Sequence, residues 1–80
     1  MSQPRDRLRA AFRTALGLAG DAAVDDLAYR AVPQWDSVAH MQLVATIEAE
    51  FDIMLDTDDV IGMSSYQRAR EIVGKHGVAL

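Results

Sequence analysis

Three stretches of this chain place apolar residues at helical spacing, and that period limits the fold to packed helices. Leu8, Phe12, Ala15 and Leu16 fall at i, i+4, i+7 and i+8. Val38, Met41, Val44 or Ala45, Ile47 and Phe51 form a second stripe, which Leu43 widens. Tyr66, Ala69, Ile72 and Val73 form a third. Each stripe covers one side of its helix, so each must be buried against the others. The chain has 80 residues and no cysteine, so no disulfide framework and no cysteine-ligated zinc site supports the core. Residues 1–80 are read as a single domain. A core of this size supplies only about 3–5 kcal/mol, which leaves little stability for a deep, strained active site.

Local signals set the helix boundaries. Pro4 suits a first helical turn, where its missing N–H costs nothing. The first helix is therefore predicted over Pro4–Leu16, closed by Gly17 and Gly20. From Leu18 to Trp35 the period is lost, and a long loop is expected, pinned by Leu27, Tyr29 and Val32. A loop of this length is uncommon in so small a domain and is often functional. Asp36 is a good N-cap, because its carboxylate can accept a first-turn N–H. The second helix is predicted from Asp36 or Ser37 to Phe51. After the connector Ile53–Leu55, Asp56 or Thr57 caps a short helix, Thr57–Ile61, stopped by Gly62. Ser64 and Gln67 have capping-box spacing and open a last helix over Ser65–His76. Gly74 weakens its end and Gly77 closes it.

Charge narrows the partners. The net charge is −4, and nucleic-acid binding needs a basic face, so nucleic acid is not expected. Seven acids lie between Asp36 and Asp59 with no Lys or Arg among them, whereas the first helix carries Arg5, Arg7, Arg9 and Arg13 against Asp6. An acidic end and a basic end are expected. No run approaches the roughly 18 apolar residues of a membrane span. Met1 to Asp6 is polar and lacks the apolar stretch of a signal peptide, so a cytoplasmic location is expected.

The stretch PQWDSVAHMQLVATIEAEFDI, Pro33 to Ile53, leads a loop into an aspartate, a serine and an amphipathic helix that ends in acids and Phe51. It is followed by a short acidic segment, TDDVIG, and then SSYQRAREIV. This order resembles the acyl carrier protein family, most strongly from about Leu27 to Val73. In that family, Asp-Ser followed by a bulky apolar residue marks the phosphopantetheine site. The resemblance implies an all-α, right-handed up-and-down bundle of three main helices plus one short helix, with a long loop after the first. It further implies that a phosphopantetheinyl transferase modifies Ser37. Coenzyme A would be the donor of the 4'-phosphopantetheine, and the arm's thiol would hold an acyl group as a thioester. A carrier of this kind is no enzyme itself. It is expected to be a monomer that presents cargo to the enzymes that load and use it.

On the same resemblance, the second and third helices form a docking face, with Asp36, Val38, His40, Met41, Glu48, Asp58 and Asp59 as candidate contacts. Solvated surface is the plainer reading of His40, Glu48 and their neighbours, and Trp35 reads best as a loop anchor. Ala39 and Gln42 stand where fatty-acid-synthesis carriers are more acidic, and Val38 replaces Leu or Met. A dedicated pathway, of a secondary metabolite, lipid or polysaccharide, is therefore favoured over a housekeeping one. The alternatives are an aminoacyl or D-alanyl carrier and an unmodified interaction module of the same fold.

Two rival readings fail on spacing. Asp56 and Asp58 are placed like the first two ligands of a calcium loop, but Val60 and Ile61 occupy the positions of the third ligand and the turn glycine. Asp36, Ser37 and His40 crowd one helical turn, which does not give a nucleophile–base–orienter geometry. No metal ligand is assigned.

Overall fold

The first apolar stripe folds as helix α1, Pro4–Leu16, with Pro4 in its first turn. Gly17 ends it in the left-handed region at φ 66°, where a side chain would be strained. The N–H groups of Gly17 and Leu18 then satisfy the carbonyls of Thr14 and Arg13. This computed structural model describes residues 3–80; Met1 and Ser2, which begin the polar N-terminal segment, lie outside the described residues.

Helix α2 covers Ser37–Phe51, α3 covers Thr57–Gly62 and α4 covers Tyr66–Lys75. Each begins with a side-chain cap. Asp36 accepts from the N–H of Ala39 at 2.9 Å, Asp56 from Asp59 at 2.8 Å and Ser65 from Arg68 at 3.1 Å. Three boundary expectations change, one of them the end of α4, which stops at Lys75 with His76 as its C-cap. Gly62 belongs to α3 rather than stopping it. Ser65, not Ser64, caps α4, because the Ser64 carbonyl accepts from the N–H of Tyr29 at 2.8 Å. The N–H of Tyr66 reaches back to the carbonyl of Leu27 at 3.0 Å. These two bonds form one isolated antiparallel bridge, Ala28 to Ser65, and hold the loop against the start of α4.

Phe12 lies at the centre of the core. Its ring meets Trp35 edge-on at 5.4 Å and Tyr66 at 5.1 Å. All three side chains are fully buried, with Leu8, Val24, Leu43, Ile47, Met63 and Val73 around them. The third stripe faces inward as predicted, since Tyr66, Ala69, Ile72 and Val73 are all buried. The α2 stripe is rotated from its expected position. Leu43, Val44 and Ile47 are buried, whereas Val38, Met41 and Ala45 face outward together and Phe51 is only half-buried. The spacing that faces the core is His40, Leu43, Val44 and Ile47, at i, i+3, i+4 and i+7, so a histidine expected on the surface joins the inward face.

The long loop is bound to the body. Its expected pins Leu27, Tyr29 and Val32 are half-buried, and Val24 and Trp35 are buried completely. Arg9 grips the Asp25 carboxylate at 3.0 and 3.1 Å, and Arg13 donates to the carbonyl of Ala22 at 2.8 Å. That hydrogen-bonded contact raises the pKa of Arg9 and lowers that of Asp25. The Cα radius of gyration is 11.3 Å, against about 12 Å for a globule of this length, which leaves no room for a dangling loop.

The arginines of α1 do not form a separate basic end. Arg7 pairs with Glu50 at 2.7 Å and covers the Phe51 ring at 5.1 Å, so basic α1 lies against the acidic end of α2. Opposite charges attract through the packing of the helices, and the expected separation into two poles is correspondingly reduced.

Candidate functional site

Ser37 is the first residue of α2 and is exposed. The Asp36 cap bonds Ala39, and the N–H of His40 bonds the carbonyl of Asp36 at 2.9 Å. That leaves the N–H groups of Ser37 and Val38, which no helix start can satisfy internally. An anion on Ser37 would meet these donors and the positive end of the helix dipole, worth about 0.3–1 kcal/mol in an exposed setting. The Asp36 carboxylate opposes part of that. An accessible hydroxyl beside unpaired donors fits a phosphodiester, and the exposure of Ser37 leaves room for a bulky arm.

Large apolar side chains are exposed on α2 and α3. Val38 is 67% exposed and Met41 59%, and Ile61 of α3 is 74% exposed. Asp36, which caps α2, and Asp58, in the first turn of α3, are also exposed. Six of the docking candidates, Asp36, Val38, Met41, Asp58 and the half-buried His40 and Glu48, thus keep some solvent access. Glu48 already accepts from the N–H of Leu55 at 2.9 Å, which ties the connector to α2.

Asp59 does not belong to that face. It is 3% exposed, and its carboxylate takes Lys75 at 2.5 Å and His76 at 2.9 Å from the end of α4. The hydrogen bonds from Lys75 and then His76 hold its pKa down at about 2. The same contact raises the pKa of Lys75. An ion pair joins α3 to α4, and the Asp59 carboxylate is buried against it rather than turned to a partner.

His40 also departs from the expected solvated surface. It is half-buried, with Nδ1 3.0 Å from Trp35 Nε1 and Nε2 2.8 Å from the carbonyl oxygen of Val60. An indole N–H only donates and a carbonyl only accepts. The histidine is therefore neutral in this arrangement, with its proton on Nε2. It bridges the loop, α2 and α3, and both nitrogens are committed, so His40 has none free to deprotonate Ser37. Beside it lies an open apolar recess of about 240 Å³, lined by Tyr29, His40, Val60, Ile61, Met63 and Ser64.

Trp35 is the anchor its position suggested: fully buried, two residues before Ser37. The His40 bridge was legible in principle, because the histidine falls at core spacing on α2. The Asp59 ion pair had no local signal, because its partners lie 16 and 17 residues away. Among the described residues, no group of three or more His, Cys, Asp or Glu stands close enough to hold a metal. No described helix is long and apolar enough to cross a membrane. No family model matches the sequence, and a search of curated proteins found no match.

Proposed function

We propose that the chain is a carrier domain of the acyl carrier type, with Ser37 as the attachment point of a 4'-phosphopantetheine arm. The observation that carries this reading is an exposed serine at the first position of a capped helix, inside an order of long helix, long loop, long helix, short helix, long helix. In this reading, a phosphopantetheinyl transferase moves the phosphopantetheine from coenzyme A to the Ser37 hydroxyl, and the arm supplies a thiol that the chain itself lacks. The protein's own residues then act as a platform. Asp36 fixes the start of α2, the free N–H groups of Ser37 and Val38 face the new negative charge, and the burial of Trp35 holds the approach to the serine in place.

Partners meet the exposed apolar residues Val38 and Met41 of α2 and Ile61 of α3, together with the exposed carboxylates of Asp36 and Asp58. That chemistry suits a basic partner with an apolar notch. The cargo is an acyl group of a specialised pathway, or an aminoacyl group in the second carrier reading. The chain works as a cytoplasmic monomer and does no chemistry itself. The remaining alternative is an interaction module of the same shape that is never modified.

Mass spectrometry separates these readings. Incubation with coenzyme A, Mg²⁺ and a broad-specificity transferase is expected to add the mass of one phosphopantetheine to the wild type and nothing to Ser37→Ala. A thiol titration is expected to rise from zero to one per chain. A wild-type protein that stays unmodified while the transferase modifies a control carrier would remove the carrier reading and leave the interaction module.

A further inference from the structure

We propose that His40 is a protonation-sensitive clasp that holds the end of the long loop, and with it the approach to Ser37, in place only while the imidazole is neutral. Three observations carry this. Trp35 Nε1 donates to Nδ1 at 3.0 Å, and Nε2 donates to the Val60 carbonyl at 2.8 Å. Trp35 is fully buried and directly precedes the Asp36 cap. The Trp35 ring is also nearly parallel to the imidazole, 20° between planes, with centroids 6.0 Å apart.

The chemistry is asymmetric. A proton added to His40 goes to Nδ1, the one nitrogen with a lone pair facing a donor. Two N–H groups then point at each other, and the indole loses its acceptor inside the core, where an unpaired donor is costly. The contact on the other side is strengthened, because an imidazolium makes a charge-assisted bond to a carbonyl. This carbonyl also belongs to the last turn of α3, where positive charge is favoured. Acid therefore shifts His40 from a two-sided clasp to a contact with α3 alone and frees Trp35.

Few other groups compete for that role. From the loop, Tyr29 faces the imidazole edge-on at 5.2 Å. From α3 and the residues after it, Val60, Ile61, Met63 and Ser64 line the shared recess without charge. At the start of α2, the capping carboxylate of Asp36 is bonded to Ala39. The clasp does not depend on the carrier reading; only its consequence for the presentation of an arm on Ser37 does.

The chain has one tryptophan, so its indole N–H gives a single NMR resonance and its fluorescence has a single source. The unmodified protein is titrated from about pH 8 to about pH 5, the range in which histidine charge changes. The indole resonance is expected to move, and tryptophan fluorescence to fall, in one step. Exchange protection of the Arg30 and Trp35 amides, corrected for intrinsic rate, is expected to drop with it, while the Met63 amide keeps its protection. Ser37→Ala and His76→Asn should titrate like the wild type. His40→Gln, which cannot titrate, should be flat, and it serves if His40→Ala fails to fold. An indole resonance that ignores pH, a step that survives in His40→Gln or vanishes in His76→Asn, or loop amides that keep full protection would each overturn the clasp without touching the modification of Ser37.

Discussion

The two phenylalanines give a direct test of where the core lies. Phe12 is 0% exposed and packs edge-on against both Trp35 and Tyr66. Truncating such a ring to alanine costs about 3–5 kcal/mol, with each aromatic pair accounting for about 0.5–1.5 kcal/mol beyond area burial. A core of this size supplies only about 3–5 kcal/mol, so Phe12→Ala should come close to abolishing the fold. Phe51 ends α2 half-buried, with the Arg7 guanidinium over its ring. Partial exposure scales the loss down to about 2–4 kcal/mol, of which the cation–π contact accounts for about 0.5–1 kcal/mol. Urea unfolding followed by far-UV circular dichroism measures both variants. Phe51→Ala should keep a cooperative transition at a lower midpoint, whereas Phe12→Ala should lose most or all of its transition at 25 °C. Equal costs at the two positions would refute the burial pattern and move Phe51 into the core.

The other predictions concern caps and charge. Asp36→Ala is expected to lower stability by about 0.5–2 kcal/mol through the lost bond to Ala39, readable as a lower melting temperature in differential scanning calorimetry. Asp59 has a folded-state pKa of about 2, below the roughly 3.9 of an unperturbed aspartate. Its stabilising contribution is therefore present above about pH 4 and is lost as pH falls towards about 2. Asp59→Asn should melt earlier than the wild type at neutral pH and show a smaller further loss over that acid window, read from melting temperatures taken stepwise in pH.

Much of the helical skeleton follows from neighbours in the chain. Pro4, Gly17, Asp36 and Asp56 act on backbone groups within about a turn of themselves, so sequence spacing alone determined where α1, α2 and α3 begin and where α1 ends. The apolar stripes of α1 and α4 were equally legible, because the i, i+4 relation is a property of one helix. The same locality placed Ser37 at the head of α2 and explains its exposure. Rotation of α2 was a different matter. Val38 and Met41 satisfy a helical period as well as His40 and Ile47 do, and only packing against α1 selected one face over the other. The fates of His40, Asp59, Arg7 and Arg9 were likewise decided by tertiary structure. Each of these side chains has a partner in another element, and a polar group's pairing depends on which elements the fold brings within about 3 Å, a distance that sequence separation does not encode.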